Sequence, residues 1–313
     1  MKKYLGLLIV AVIAIMLVSC ESTFTYKIAD QKEAQKCYVS NEEYFNGFSD
    51  YDIEYRIKSG TIDDVKAFGE LQMRDFTDDE KKALEETLAD MEKKFKEVKL
   101  PSLDITLIKS TQEEECGSGA YTHGTQIYLG QDLMDLLKSD NKEESDYGKC
   151  ILWHEVFHCL TRNNPKFRKD MYSIIHFTVG KEYKIPASVR EKYISNPDVE
   201  HHNSHATFKI NGKDTECFTA LIATQSPKEC DSFFECMTAV LVPTDGSDKY
   251  YMPDEAENFW EVFGENTDYV IDPEECMADN FSYAMTYGLK GQEYKNPEII
   301  ESILKKINAN EVC

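Results

Sequence analysis

Residues 153–159 read Trp153-His154-Glu155-Val156-Phe157-His158-Cys159, the pattern H-E-x-x-H. Side chains four residues apart on an α-helix share one face, about one turn apart. His154 and His158 can therefore offer two imidazoles to a single zinc ion. Glu155 beside them falls where a carboxylate can take a proton from a zinc-activated water. The competing reading is an amphipathic helix that carries two histidines by chance.

The helix is expected from about Tyr147 to Asn163, after a charged loop at Asp140–Asp146. Asn164 and Pro165 then supply an N-cap and a first-turn proline for a second helix over about 165–177, packed back on the first as a hairpin. Upstream, Thr77-Asp78-Asp79-Glu80 is a capping box. It opens a helix to about Val98 with Leu84, Leu88, Met91 and Phe95 at helical spacing, and Pro101 ends the segment. Leu103–Ile108 alternates as a strand, a glycine-containing loop spans 116–119, and Tyr121–Leu129 reads as a second strand around Gly124. His123 on it either lines a cleft or is simply exposed. Downstream, Asn196-Pro197-Asp198 is a turn. Ala206–Ile210, Asn211-Gly212 and Thr215–Ala223 form a hairpin signal. Phe233–Val242 is a strand or a helix, and Asp254–Phe263 a short helix.

The chain of 313 residues is 42% hydrophobic and 12% aromatic, so it can bury a sizeable core. A formal net charge of −22 argues against nucleic acid as a partner, because phosphate binding needs clustered Lys and Arg. An acidic, solvated surface accounts for it.

Residues 1–20 have the form of an export signal. Lys2 and Lys3 precede an apolar run from Leu5 to Val18 that is short for a membrane span. The ending Leu17-Val18-Ser19-Cys20 resembles a bacterial lipobox, which implies lipidation at Cys20 and membrane attachment through that lipid. A plain secretory signal or an uncleaved anchor are the alternatives, and all three export the chain.

A catalytic zinc needs one more protein ligand. The metzincin continuation is excluded, because Thr161 and Asn164 stand at its Gly and third-His places. Asp272-Pro273-Glu274-Glu275-Cys276-Met277-Ala278-Asp279 contains E-x-x-x-D on an expected helix, and Asp272 to Glu275 is also a capping box with Pro273 at the first helical position. Both readings start a helix there. E-x-x-x-D resembles the gluzincin signature. Together, HEVFHCLTRNNP, ISNPD and DPEECMADNF look like a bacterial group of gluzincin-type metallopeptidases over roughly residues 100–290. The strand–strand–helix order fits such a lobe, whose edge strand pairs with extended substrate.

The resemblance implies His154, His158 and Glu275 as zinc ligands, Asp279 as the hydrogen-bond partner of a ligating histidine, and Glu155 as general base acting on a peptide or protein substrate. It also implies a His or Tyr that stabilises the oxyanion. His205 is favoured, with Tyr283 and Tyr287 as alternatives. The gap from His158 to Glu275 is far longer than in thermolysin-like enzymes, so specificity does not carry over.

The expected fold is α+β and zincin-like: a small mixed sheet, the H-E-x-x-H helix and a third-ligand helix over 61–313. A tether or N-terminal subdomain at 21–60 precedes it. Two alternatives stand beside the peptidase. One is a different zinc hydrolase with Cys116 as ligand, in the manner of peptide deformylases. The other is a non-catalytic lipoprotein that keeps a zinc fold for binding. Beyond Cys20, nine cysteines allow up to four disulfides after export, and no C-x-x-C occurs.

Overall fold

A computed structural model describes residues 22–98, 100–226 and 234–308. The signal segment with Cys20, and also Cys230 and Cys313, lie outside the described residues. The chain starts with β1 (Phe24–Ile28), then α1 (Gln31–Val39), α2 (Glu42–Asn46), α3 (Asp50–Ile57), α4 (Ile62–Glu70) and β2 (Met73–Arg74). Next come α5 (Asp78–Val98), β3 (Leu103–Ser110), β4 (Ala120–His123), β5 (Gln126–Leu129), α6 (Gln131–Leu137), α7 (Lys142–Asn163) and α8 (Pro165–Tyr172). A second group follows: β6 (Thr178–Val179), α9 (Ala187–Arg190), β7 (Ser204–Ile210), β8 (Lys213–Ala223), β9 (Met237–Pro243) and α10 (Phe259–Phe263). The chain ends with α11 (Pro273–Thr286) and α12 (Pro297–Asn308).

The architecture is α+β, as expected. One mixed sheet runs β1-β3-β5-β4 with β2 beside β3. A second, antiparallel sheet runs β6-β7-β8-β9. Alternation along the first sheet separates two apolar layers. Leu103, Ile105, Leu107, Ile127 and Leu129 join the main core with α5, α7, α8, α11 and α12. Ile108, Tyr121 and Tyr128 face the other way, against Ala34, Tyr38, Phe45 and Val65 of α1, α2 and α4. The N-terminal helices thus cover the far face of the same sheet.

Local chemistry explains the elements that carry the site. The capping box of α5 forms: Thr77 N donates to Glu80 Oε2 (2.8 Å) and Glu80 N to Thr77 Oγ1 (3.3 Å). Glu80 also accepts Lys109 Nζ from β3 at 2.6 and 2.7 Å. Asn141 caps α7 by accepting from Glu143 N, so α7 begins five residues earlier than expected. Its second half, Leu152 to Thr161, is almost wholly buried, as befits a helix running through the core. Asp272 accepts from Glu274 N and caps α11. Glu275 does not close that box; its carboxylate turns to the histidines of α7.

Several expectations are corrected. Tyr121–Leu129 is a hairpin and not one strand: Gly124, at φ +58°, turns β4 into β5. His123 is buried among Tyr44, Tyr121 and Tyr128. Helix α8 stops at Tyr172 and passes into a 3₁₀ turn at Ser173–Ile175. Of Phe233–Val242, expected as a strand or a helix, the described part is mainly the strand β9. The Asn211-Gly212 hairpin forms, with φ +52° and +73°, the twist that matches paired strands. Six described cysteines (Cys37, Cys116, Cys150, Cys159, Cys217 and Cys276) are free thiols, so four disulfides do not form; Cys236 is disulfide-bonded. Among the described residues no helix is long and apolar enough to cross a membrane.

Helices α7 and α11 are locked by aromatic rings. Phe281 packs 5.2 Å from Phe157, 6.1 Å from Trp153 and 6.1 Å from Phe167, centroid to centroid, and is fully buried. Phe281→Ala is expected to cost roughly 3–5 kcal/mol of stability, read from urea unfolding. A loss below 1 kcal/mol would mean that the two helices are held by something else.

Candidate metal centre

Helix α7 presents His154 and His158 one turn apart, and α11 crosses it with Glu274, Glu275 and Asp279. The two histidines are used in the same way. His154 Nδ1 donates to Asp279 Oδ1 at 2.8 Å, and His158 Nδ1 to Glu274 Oε1 at 3.0 Å. A proton fixed on each Nδ1 leaves each Nε2 with its lone pair outward. Both Nε2 atoms point to one carboxylate oxygen, Glu275 Oε2, at 3.1 and 3.5 Å. His158 Nε2 is buried and makes no hydrogen bond.

The supporting carboxylates are themselves held. Thr267 Oγ1 donates to Asp279 Oδ2. Glu274 accepts from Thr161 Oγ1 at 2.6 Å and from the Tyr172 hydroxyl. Asn196 Nδ2 donates to Glu275 Oε1.

Ligand atoms of His154, His158 and Glu275 lie within 4.8 Å of one another. Tetrahedral zinc with bonds near 2.0–2.1 Å sets its ligand atoms about 3.4 Å apart. The spacing and the donor set of two imidazoles and a carboxylate therefore fit zinc. A second set, Glu155, His158 and Asp198, meets the same distance limit.

The charges suit a cation as well. Burial alone would lower the histidine pKa values, but neighbouring carboxylates outweigh it. Asp279 and Glu275 hold His154 well above its ordinary value; Asp198, Glu274 and Glu275 push His158 up to about 10. Burial would raise Glu275, and the two imidazoles bring it well below the carboxylate range. Without a metal the cluster recruits protons to supply positive charge, which a divalent cation would supply instead. Glu155 is buried, and its Oε2 has no hydrogen-bond partner. Burial first, then the charge of Asp198, pushes Glu155 up to about 8.

The structure thus brings together His154, Glu155, His158, Glu275 and Asp279. It does not bring His205 to them. His205 Nδ1 pairs with the Tyr183 hydroxyl at 2.7 Å, and its Nε2 faces Glu216 at 4.0 Å. Strand β7 carries it into the second sheet, away from α7. Cys116 Sγ contacts Tyr55 O, and Cys150 Sγ donates to Ser282 Oγ. Tyr283 packs on Tyr294.

Sequence reasoning missed Glu274, Asn196, Asp198 and Tyr269. Tyr269 lies in the loop before α11, its ring 6.2 Å from that of His154. It lines a cavity of about 60 Å³ together with Asn196 and Asp198. Burial holds its hydroxyl protonated, well above the usual range. A lone Tyr in a loop gives no local signal, whereas Glu274 adjoins Glu275 and was legible as a second carboxylate. No protein-family model, curated protein or solved structure matches the chain.

Asp279→Asn and Glu274→Gln should each weaken zinc binding about 10–100-fold, because each loosens the imidazole it orients. Competition with a chromogenic chelator measures this. His205→Ala should leave the affinity unchanged.

Proposed function

We propose that this chain is a zinc metallopeptidase with a zincin-like, gluzincin-type site, carried on the bacterial envelope by a lipid at Cys20. The observation that supports it most is the convergence of His154 Nε2, His158 Nε2 and Glu275 Oε2, with Glu155 and its unpartnered Oε2 beside them. Two imidazoles and one carboxylate leave a coordination position free, the donor set of hydrolytic zinc.

Bound zinc would polarise the scissile carbonyl and acidify a water. Glu155 takes that water's proton and passes it to the departing amine. Tyr269, whose ring lies 6.2 Å from that of His154, takes the oxyanion role in this reading; its protonated hydroxyl would donate to the charge that develops on the carbonyl oxygen. It replaces His205 in that role. Asp279 and Glu274 hold the imidazoles, and Asn196 holds the outer oxygen of Glu275.

One observation favours a second reading, a zinc-holding lipoprotein without catalysis. The cluster is almost closed to solvent beneath residues 195–200. A hydrolase using Cys116 gains no support, since that thiol contacts Tyr55 O.

Metal analysis of the purified mature chain is the first test. One zinc per chain in the wild type and loss of it in Glu275→Ala are expected; zinc retained in that variant would remove Glu275 as a ligand. Glu155→Gln should then keep zinc and lose peptide hydrolysis by at least 1,000-fold, and Tyr269→Phe should lower kcat about 10- to 1,000-fold. Zinc-loaded wild type that cleaves nothing in a mixed peptide library would leave the binding reading.

A further inference from the structure

Strand β4 is the edge of the first sheet. Its neighbour β5 pairs Thr122 with Ile127, and Thr122 N–H points outward from the ladder. Such an edge amide is a docking point for an extended chain. Here it is taken by the protein's own segment 195–200, Ser195-Asn196-Pro197-Asp198-Val199-Glu200. Asp198 Oδ1 accepts from Thr122 N and Thr122 Oγ1, each at 2.7 Å. Two residues on, Glu200 Oε1 accepts from Gly124 N at 2.9 Å. The i, i+2 spacing of the acceptors matches that of the donors, as for a strand laid along the edge. The carboxylates stand where the carbonyls of a bound peptide would be.

The same two carboxylates neutralise Arg162. Its Nε lies 3.1 Å from Glu200 Oε1, its Nη2 4.0 Å from Asp198 Oδ1, and Nη2 also donates to Pro197 O at 2.8 Å. Arg162 is on α7, one turn beyond His158, and its side chain is only 7% exposed. A guanidinium buried to that degree cannot be stripped of its carboxylates cheaply. A cavity of about 240 Å³ opens beside it, lined also by Glu200 and His201.

We propose that residues 198–200 are an internal stand-in for substrate, and that Arg162 is the specificity-determining residue, selecting peptides with an acidic side chain. The inference builds on the peptidase reading for what the lane is used for. Ser195 is held in place, its N donating to Asp52 Oδ1 at 2.8 Å and its carbonyl accepting from Arg56 Nη2. Gly180 N donates to Asn203 O at 2.7 Å on the other side. Asn196 stays on Glu275 Oε1, so the part that yields lies between Asn196 and Asn203. A peptide that displaces it without bringing a carboxylate leaves the Arg162 charge buried with only the Thr122 hydroxyl as acceptor and no counter-charge. The net charge of −22 opposes an acidic peptide at long range, but salt screens that repulsion far more than it screens a buried pair.

The test is a binding measurement, so it stands apart from turnover. The probe is the synthetic heptapeptide Ile-Ser-Asn-Pro-Asp-Val-Glu, with blocked ends, titrated into the full mature chain. Glu200→Ala removes the exposed end of the stand-in and keeps the fold. This variant should bind the peptide at least 10-fold more tightly than wild type, and Arg162→Gln in the same background should abolish the gain. A control peptide with Asn and Gln in place of Asp and Glu should bind at least 10-fold more weakly. Hydrogen exchange at Thr122 and Gly124 should quicken in Glu200→Ala and slow again with peptide. Equal affinity for both peptides, or for both chains, would overturn the proposal even if the protein cleaves other substrates. Preferential binding of the acidic peptide without hydrolysis would uphold the site and defeat only the peptidase reading.

Discussion

Two imidazole nitrogens from one helix meet one carboxylate oxygen from another, and the fold is arranged so that they can. Helix α7 must run through the core, because His158 is buried while His154 is only slightly exposed. Helix α11 must cross it in a fixed register, or Glu274, Glu275 and Asp279 would not reach their partners. The ring contacts of Phe281 with Trp153 and Phe157 set that register from the apolar side. The imidazole–carboxylate pairs set it from the polar side.

Such a cluster is costly to bury. Glu155, Asp198, Glu274, Glu275 and Asp279 bring more negative charge than the nearby Arg162 and Arg168 offset. Each carboxylate without compensation would cost several kcal/mol in a dry interior. The fold answers with hydrogen bonds from Thr161, Tyr172, Thr267 and Asn196, and with protons drawn onto the histidines. What is left over is an excess of negative charge that a cation among His154, His158 and Glu275 would offset. Glu155 is the exception: its Oε2 is given no donor, so it stays uncommitted beside the place where a cation would sit.

Features governed by short-range rules were legible in the sequence. The capping box of α5, the Asn211-Gly212 turn, the helix through His154 and the helix at Pro273 each depend on residues within a few positions of one another. That the Glu275 carboxylate turns to the histidines and does not close the capping box depends on the angle at which α11 meets α7, and no local pattern contains that angle. The β-formers around Gly124 read as one continuous strand; its positive φ comes from the hairpin closing under the N-terminal helices. His205 was favoured for its closeness in sequence to the Asn196-Pro197-Asp198 turn. The chain instead carries it into the second sheet, while Asp198 itself comes to the site. Tyr269 is brought near His154 by the approach to α11, which is long-range information. Helix α12 was overlooked although Ile299, Ile300, Ile303 and Ile307 carry the helical period.

The arrangement along α7 also sets a length scale. His158 and Arg162 are four residues apart on the helix, about 6 Å at 1.5 Å per residue. An extended peptide covers that distance in about two residues at roughly 3.3 Å each. Residues 198–200 keep the same measure: Asp198 lies by Glu155 and His158, and Glu200, two residues on, lies on Arg162. A substrate following this lane would carry its carboxylate about two residues from the bond held at His158. One helix would then fix ligands, base and specificity together, so a change in helical register would disturb all three at once. The segment over the site is short for the same reason, since it need only span the distance from Glu275 to Arg162.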